Sequence, residues 1–369
     1  MEKLSVKYVC SKCGLKEDVR SKKPKCDCGG LWNLEYKIPK FDLSLVDRNL
    51  WNIYRYHKFI PLIDDSWKDI TLGEGMTPVV QFNEDVMLKM DYYMPTLSFK
   101  DRGAAVLISH CKSIGVESVV QDSSGNAGNS VAAYSAKAGI DCEIFVPEGT
   151  SPKKIDMIKA HKARVNVVPG SRDNCADVCR SKVDSEGKYY ANHVYNPYFY
   201  EGTKTYMYEV YEQLQRIPEN IFVPLGNGTL FIGIVKALEE FIESGIIDKM
   251  PNIVAVQSEN CAPFVKAVEN NEKKPAKITP SSTMAEGIAI GVPMRGEEIL
   301  QYTYKYNIKM ITAPENLILN ARAQLAAKGV YCEHTTAATY AAYLKYCDIY
   351  GKTPDCLIPM CGAGLKSDH

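Results

Sequence analysis

The hydrophobic pattern of residues 95–170 alternates between two periods, and this alternation constrains the fold more than any other feature of the chain. Apolar residues recur at helical spacing in one stretch, with Leu107, Cys111 and Ile114 on one face, and short apolar runs follow. The pattern predicts helices over 101–114, 127–138 and 152–163, and strands over 116–121, 142–146 and 165–168. Strands that alternate with helices form βαβ units, so we expect a mostly parallel sheet.

A second series of the same kind occupies the C-terminal half of the chain. It predicts strands over 221–224, 253–257 and 356–359, and helices over 230–243, 314–328 and 335–350. The expected fold class is therefore α/β with two domains. We assign residues 39–98 and 204–369 to a large domain, residues 99–203 to a small domain, and residues 1–38 to a separate N-terminal segment.

The N-terminal segment is too short to bury a core by itself and contains two closely spaced cysteine pairs. A Cys-x-x-Cys pair and a Cys-x-Cys pair resemble the ligand set of a zinc ribbon, although the second pair is tighter than usual. We expect a structural zinc ion here; the alternative is a reduced, metal-free cap. The four predicted ligands are Cys10, Cys13, Cys26 and Cys28.

Composition excludes several classes of partner. Lys and Arg total 44, and Asp and Glu also total 44, so the formal net charge is zero and we expect neither a nucleic-acid nor a membrane partner. Nine further cysteines lie between Cys111 and Cys361 without framework spacing, which indicates reduced thiols. The first seven residues lack the apolar stretch of a signal peptide, so we expect a cytoplasmic protein.

Three segments carry residues suited to chemistry. In residues 95–103, PTLSFKDRG, Lys100 lies where a loop becomes a helix, a position that can lower a lysine pKa and favour Schiff-base chemistry. Residues 122–129, DSSGNAGN, and residues 224–230, PLGNGTL, each join a strand to a helix. The second turn has the properties of a phosphate cradle, because glycines free backbone N–H groups at a helix start. The alternative for Lys100 is a solvated lysine at a helix start, and the alternative for the two glycine-containing segments is an ordinary capped turn between a strand and a helix.

Together with residues 73–78, 196–205 and 362–366, these motifs resemble fold-type II pyridoxal-phosphate enzymes, and the chain is most similar to threonine synthases and their close homologues. The resemblance covers about residues 70–366. It implies that Lys100 carries the cofactor beside Phe99, that Asn126 binds the ring hydroxyl, and that Cys361 faces the pyridine nitrogen. The cofactor phosphate would be held by Gly226, Asn227, Gly228, Thr229 and Leu230, and the substrate carboxylate by Ser124, Gly125, Ala127 and Gly128.

The chain departs from the threonine synthase pattern at two places. Threonine synthases usually have an arginine after the Asn-Pro step that helps to hold the substrate phosphate, whereas residues 198–200 here are Tyr, Phe and Tyr. Arg102 and Lys204 are the substitutes nearest in the sequence pattern. Cys361 replaces the usual Thr or Ser, and a thiol is a weaker hydrogen-bonding group.

The remaining candidate residues carry a weaker signal. His193 and Tyr195 precede the Asn-Pro step and could face the substrate, while Glu286 and residues 333–336, EHTT, could line the cofactor ring; a structural role fits each equally well. The leading hypothesis is a threonine synthase-like lyase that acts on a small amino acid. The alternatives are a β-eliminating or β-replacing enzyme and a zinc-ribbon interaction protein. The sequence leaves the oligomeric state open, with a homodimer as one candidate.

Overall fold

The computed structural model describes residues 5–366. Residues 1–4, on which part of the leader prediction rests, lie outside the described residues. The strands are β1 Lys7–Cys10, β2 Lys16–Asp18, β3 Trp32–Glu35, β4 Val79–Gln81, β5 Val86–Lys89, β6 Ser118–Gln121, β7 Asp141–Pro147, β8 Arg164–Val168, β9 Tyr189–Tyr190, β10 Asn220–Pro224, β11 Asn252–Ser258, β12 Lys309–Ala313 and β13 Cys356–Pro359.

The α-helices alternate with the strands over most of the chain. They are α1 Lys100–Ser113, α2 Asn126–Ala138, α3 Pro152–Ala160, α4 Arg172–Glu186, α5 Tyr198–Thr203, α6 Thr205–Leu214, α7 Thr229–Ser244, α8 Pro263–Glu269, α9 Gly296–Lys305, α10 Glu315–Ala326 and α11 His334–Tyr350. Short 3₁₀ turns occur at Leu43–Leu45, Ile53–Phe59, Ser66–Asp69, Asp91–Tyr93, Glu286–Ile288 and Gly364–Lys366. Among residues 5–366, no helix combines the length and apolar character that a bilayer span requires.

The described chain divides into two compact units, residues 5–75 with 100–205, and residues 76–99 with 206–366. The first unit contains a parallel sheet of order β8-β7-β6-β9 and a small antiparallel sheet of order β2-β1-β3. The second unit contains a sheet of order β12-β11-β10-β13-β5-β4, parallel except for the β4–β5 pair. The α/β class with mostly parallel sheets is confirmed.

The grouping of residues 39–75 differs from the predicted domain boundaries, which placed them with the C-terminal half. Ile53, Trp67 and Ile70 belong to the same hydrophobic cluster as Leu107 of α1 and Val131 of α2. These contacts join positions far apart in the chain, so burial of apolar side chains against α1 and α2 decides where this segment packs.

Candidate active site

The segment that leads into Lys100 is anchored by backbone hydrogen bonds. The N–H of Phe99 donates to the carbonyl of Cys361 at 2.9 Å, and the N–H of Ala363 donates to the carbonyl of Leu97 at 3.1 Å. Leu97 has a φ of +61°, which turns the chain sharply just before these bonds. Phe99 and Cys361 are both buried, so Phe99, the residue before Lys100, is fixed beside the predicted pyridine-nitrogen partner Cys361.

Lys100 is the first residue of α1 and is partly exposed. Within its unit, its Nζ lies 5.9 Å from the centroid of the Phe199 ring, which is fully buried on α5. Gly103, one turn along α1, permits this arrangement, because a Cβ there would lie 2.3 Å from the Phe199 ring. Lys100 therefore faces an aromatic wall that was not foreseen from the sequence.

His193 lies on the same wall. Its ring centroid is 5.8 Å from that of Phe199, and its Nδ1 is buried without a hydrogen-bond partner among residues 5–366. Burial lowers the pKa of His193 well below its usual value, and the charges of Lys100 and Arg172 lower it further. The imidazole is therefore neutral at physiological pH, with one polar atom available. Tyr195, by contrast, lies in a hydrophobic cluster with Cys175 and Cys179.

The turn between β6 and α2 positions the four predicted substrate-binding residues Ser124, Gly125, Ala127 and Gly128 together. Gly125 is the N-cap of α2 and makes no side-chain capping bond. At Gly128 only glycine fits, because a Cβ would lie 1.8 Å from the carbonyl oxygen of Ser123. A helix start leaves N–H groups without intrahelical acceptors, so this turn can bind a carboxylate.

The turn between β10 and α7 has the geometry of an anion cradle in the other unit. Gly228 has a φ of +78° and begins the 16-residue helix α7 without a side-chain cap. A Cβ at Gly226 would lie 3.0 Å from Cα of Ile288, and a Cβ at Gly228 would lie 2.5 Å from Ile299. The backbone therefore approaches its neighbours closely, and the helix start is left for an anion.

The residues predicted to line the cofactor ring belong to the same unit as this cradle. The N–H of Gly287, which follows Glu286, donates to Oγ1 of Thr335 at 3.0 Å. The carboxylate of Glu333 lies against Gly362, whose added Cβ would be 2.2 Å from Oε2. Nη1 of Arg322 lies 2.8 Å from Nε2 of His334. Thr336 is buried on the same helix, and its Oγ1 has no partner among the described residues.

Comparison with known proteins identifies the family. Residues 70–362 match the family described as "Pyridoxal-phosphate dependent enzyme". The chain belongs to this family. It is 31% identical to a threonine synthase of Methanocaldococcus jannaschii over 91% of this chain and 86% of the relative, and 30% identical to a threonine synthase of Mycobacterium leprae over 85% and 88%.

Solved structures support the same fold. The chain is similar to a processed threonine deaminase isoform of Solanum lycopersicum, with a TM-score of 0.70, 20% identity, and coverage of 89% of this chain and 86% of that one. It is also similar to a maize serine racemase, with a TM-score of 0.70, 19% identity and coverage of 81% and 91%. The expectations of a fold-type II enzyme and of a pyridoxal-phosphate-dependent lyase resembling threonine synthases are confirmed.

The residues present fit the cofactor of this family. The uncapped start of α7, closed on its sides by Ile288 and Ile299, suits a phosphate group. Phe99, the residue before Lys100, is hydrogen-bonded through its N–H to the carbonyl of Cys361. The side chain at position 361 is a thiol and not a carboxylate. Asn126 is the first residue of α2, beside the carboxylate-binding turn.

Arg102 and Lys204, the candidates to replace the absent arginine, already have polar partners in this enzyme. Arg102 is fully buried and donates from Nη1 to Oγ1 of Thr205 at 3.0 Å. Lys204 is also fully buried, with Nζ 2.7 Å from a carboxylate oxygen of Glu201. The hydroxyl of Tyr36 donates to the same carboxylate and lies 3.2 Å from Lys204. Both side chains are therefore already paired within their own unit, which argues against either one as the substitute for the absent arginine.

The four predicted zinc ligands converge in the small antiparallel sheet. All four sulfur atoms lie within 4.8 Å of one another, and the Cys10–Cys28, Cys13–Cys28 and Cys13–Cys26 distances are 3.4, 3.5 and 3.7 Å. Zn–S bonds of about 2.3 Å give a tetrahedron with edges of about 3.8 Å. The distances are too long for disulfides and suit a tetrahedral ion.

The segment 73–78, noted only as part of the resemblance, is built around buried charges. In one unit, Glu74 accepts hydrogen bonds from the N–H of Leu72 and the hydroxyl of Tyr134. Burial raises its pKa to about 7. In the other unit, Thr77 donates to Asp91 at 2.7 Å, and the buried pair Lys89–Glu209, at 2.7 Å, lies beside it. Neither network was predicted, because each joins residues distant in sequence.

Proposed function

We propose that this chain is a threonine synthase, which converts O-phospho-L-homoserine and water to L-threonine and phosphate. The observation that carries the proposal is a helix-start lysine beside a buried aromatic ring, in a chain similar to threonine synthases over most of its length. The uncapped glycine cradle of the other unit supports it. The finer assignment of substrate rests on that similarity and on the residues around Lys100.

The proposed cofactor contacts are those that the resemblance implies, and the geometry of each turn is compatible with them. Lys100 would hold pyridoxal phosphate covalently, and Asn126 would donate to its ring hydroxyl. The N–H groups of residues 226–230 would bind its phosphate, and Cys361 would serve as the partner of its pyridine nitrogen. A thiol is a weak donor, so it favours an unprotonated nitrogen. When bound, the cofactor delocalises negative charge that develops at the substrate Cα.

The protein residues then supply positioning and proton transfer. The N–H groups of residues 124–128 hold the substrate carboxylate at the start of α2. The ε-amine of Lys100, at the start of α1, would remove a proton from the substrate Cα and return it. The buried ring of Phe199 lies 5.9 Å from this amine and forms one side of its surroundings.

A second function is favoured by one specific observation. Phe199 is uncharged and stands within the stretch where threonine synthases usually carry an arginine. An enzyme that eliminates or replaces a neutral group at Cβ, acting on serine or threonine, would not need a cation there. We rank this activity second because the curated relatives reported above are threonine synthases.

We also propose that Cys10, Cys13, Cys26 and Cys28 hold a structural zinc ion. Two of the cysteines are buried and two exposed, and each pair lies in a tight turn next to a strand of the small sheet. A site with four thiolates has no open position for substrate, so its role is to stabilise the fold.

One assay separates the two activities. Purified enzyme is incubated with O-phospho-L-homoserine while phosphate and threonine are measured, and in parallel with serine, threonine and phosphoserine while keto acids are measured. Equal release of phosphate and threonine supports the first proposal. Keto-acid production without phosphate-linked threonine contradicts it and supports the second. Borohydride reduction followed by peptide mapping should place the cofactor on Lys100; a label on Lys204 or Lys366 would refute the assignment of the lysine.

A further inference from the structure

The proposed substrate carries a phosphate dianion, and the buried site must neutralise it. Residues 198–200 provide no cation, and Arg102 and Lys204 are buried and engaged. A dianion left without charged partners in a desolvated pocket costs several kcal/mol or more. The inference below rests on the proposed function, and it concerns which other basic side chain fills this role.

Arg172 lies at the sheet edge where substrate-binding loops are expected. It is the first residue of α4 and comes four residues after the end of β8. Strands β8, β7, β6 and β9 are all parallel, so their carboxyl ends share one edge. The turn of residues 122–125 follows β6 there, and His193 follows β9.

The packing of α4 links this helix to the segment that follows His193. Cys175 lies one turn after Arg172 on the same helix face and is buried. It belongs to the hydrophobic cluster that contains Val194 and Tyr195, the two residues that follow His193. The positive charge of Arg172, like that of Lys100, acts on the imidazole of His193.

The guanidinium of Arg172 is exposed and makes no hydrogen bond or ion pair with any residue in the described part of the chain. Asp122, a carboxylate at the same edge, is occupied by the hydroxyl of Tyr190 at 2.6 Å and the amide of Asn192 at 2.8 Å. The positive charge of Arg172 is therefore not neutralised within its own unit.

We propose that Arg172 binds the phosphate group of the substrate, in place of the arginine that residues 198–200 lack. A guanidinium presents a planar pair of N–H donors that matches two phosphate oxygens. Its charge stabilises the phosphate both while it is bound to Cγ and after the C–O bond has broken, when the leaving group carries the electron pair. Phe199 then forms the apolar side of the same pocket, and Arg172 supplies the charged side.

The test compares two arginine variants of the holoenzyme. Arg172→Gln removes the proposed contact, whereas Arg164→Gln removes the same charge from the other end of β8, at the opposite sheet edge. For Arg172→Gln we expect KM for O-phospho-L-homoserine to rise about 10- to 100-fold, as for a lost charge-assisted hydrogen bond. Arg164→Gln should change KM by less than about 2-fold, and Arg172→Lys should recover part of the loss.

A second readout does not depend on turnover. Calorimetric titration with inorganic phosphate should give a dissociation constant about 10-fold or more weaker for Arg172→Gln than for wild type. An unchanged KM in Arg172→Gln, with wild type active on phosphohomoserine, overturns the inference and leaves the proposed function standing. If wild type does not turn over phosphohomoserine, the proposed function fails. The phosphate titration then decides alone: equal binding by wild type and Arg172→Gln overturns the role of Arg172, and weakened binding supports it.

Discussion

The turn after β6 and the turn after β10 both join a parallel strand to a helix through glycines, but their surroundings differ. At Gly125, where the first turn meets α2, no atom lies within 4 Å of an added Cβ, so there is open space beside the backbone at that residue, whereas at Gly128, inside α2, an added Cβ would meet the carbonyl oxygen of Ser123. Around Gly226 and Gly228, in the second turn, an added Cβ would meet Ile288 or Ile299 at 3.0 Å or less. We call the turn after β6 the roomy turn and the turn after β10 the tight turn. Open space suits a substrate that is exchanged in every catalytic cycle, and close packing suits a cofactor group that stays bound.

The largest effect is expected from substitution of Lys100. This substitution distinguishes the residues needed for catalysis from those needed to bind the cofactor. Lys100→Ala should lower kcat by about 10³-fold or more, because it removes the covalent attachment and the proton-transfer group. The turn after β10 is left intact, so the variant should still bind pyridoxal phosphate. Turnover and the cofactor content after gel filtration are the two measurements. Loss of the cofactor together with activity would contradict the division of roles between Lys100 and the glycine cradle.

The second prediction concerns the tight turn itself. Gly228→Ala combines strain at a φ of +78° with a Cβ 2.5 Å from Ile299, so the cradle must move. We expect the dissociation constant of pyridoxal phosphate to rise about 30-fold or more, from roughly 2 kcal/mol of strain and displacement.

Gly245→Ala is the matched control for this variant. Gly245 ends the same helix with a φ of +74°, and nothing lies within 4 Å of its added Cβ. The control carries the same backbone strain at the far end of α7, so it should reduce stability without weakening cofactor binding. Equal weakening in both variants would mean that the effect arises from helix stability and that the cradle does not bind the phosphate.

The two turns also show what the sequence could predict. Strands and helices on both sides of them were expected to within one or two residues in most cases, because apolar runs such as residues 221–224 end at glycine or polar residues. Helix α4 was not expected. Its buried positions are Cys175, Cys179 and Val183, and two cysteines at helical spacing in a polar segment give a weak hydrophobic signal.

The parts of the site that were missed depend on contacts between distant residues. His193 was only a weak candidate in the sequence, and its contact with Phe199 was not predicted. The order β8-β7-β6-β9 places the loops after separate strands, including the loop that leads to Arg172, at one edge. Local patterns do not determine strand order. The absence of arginine from residues 198–200 was a usable signal, but it indicated the loss of a cation without showing which residue replaces it.

A smaller effect is expected from the proposed zinc site at Cys10, Cys13, Cys26 and Cys28, which belongs to the same unit as the turn after β6. Metal analysis should find about one zinc ion per chain. Cys10→Ser with Cys13→Ser should lower the free energy of unfolding by roughly 3 kcal/mol, because it removes two of four ligands, while kcat of the folded fraction changes little. Cys261→Ser, a buried cysteine of the other unit, is the control for thiol removal. Metal-free protein with unchanged melting would exclude a structural metal.

The smallest effect is a pH dependence of the free energy of unfolding, which arises from a residue in the same unit as the roomy turn. Glu74 is buried and accepts a hydrogen bond from Tyr134 on α2, and burial raises its pKa to about 7 from an ordinary value of 4.5. Between these two values the folded state binds more protons than the unfolded state, so the stability contribution of Glu74 is present at low pH and is lost as pH rises toward 7. Between pH 5 and pH 7 the free energy of unfolding of the wild type should therefore fall by roughly 2 kcal/mol relative to that of Glu74→Gln, because the amide of Gln stays neutral.

Urea unfolding of both proteins at several pH values measures this difference. Glu117→Gln, at an exposed position, is the control for removal of a carboxylate. A difference that stays constant with pH would show that Glu74 is ionised in the folded state across this range.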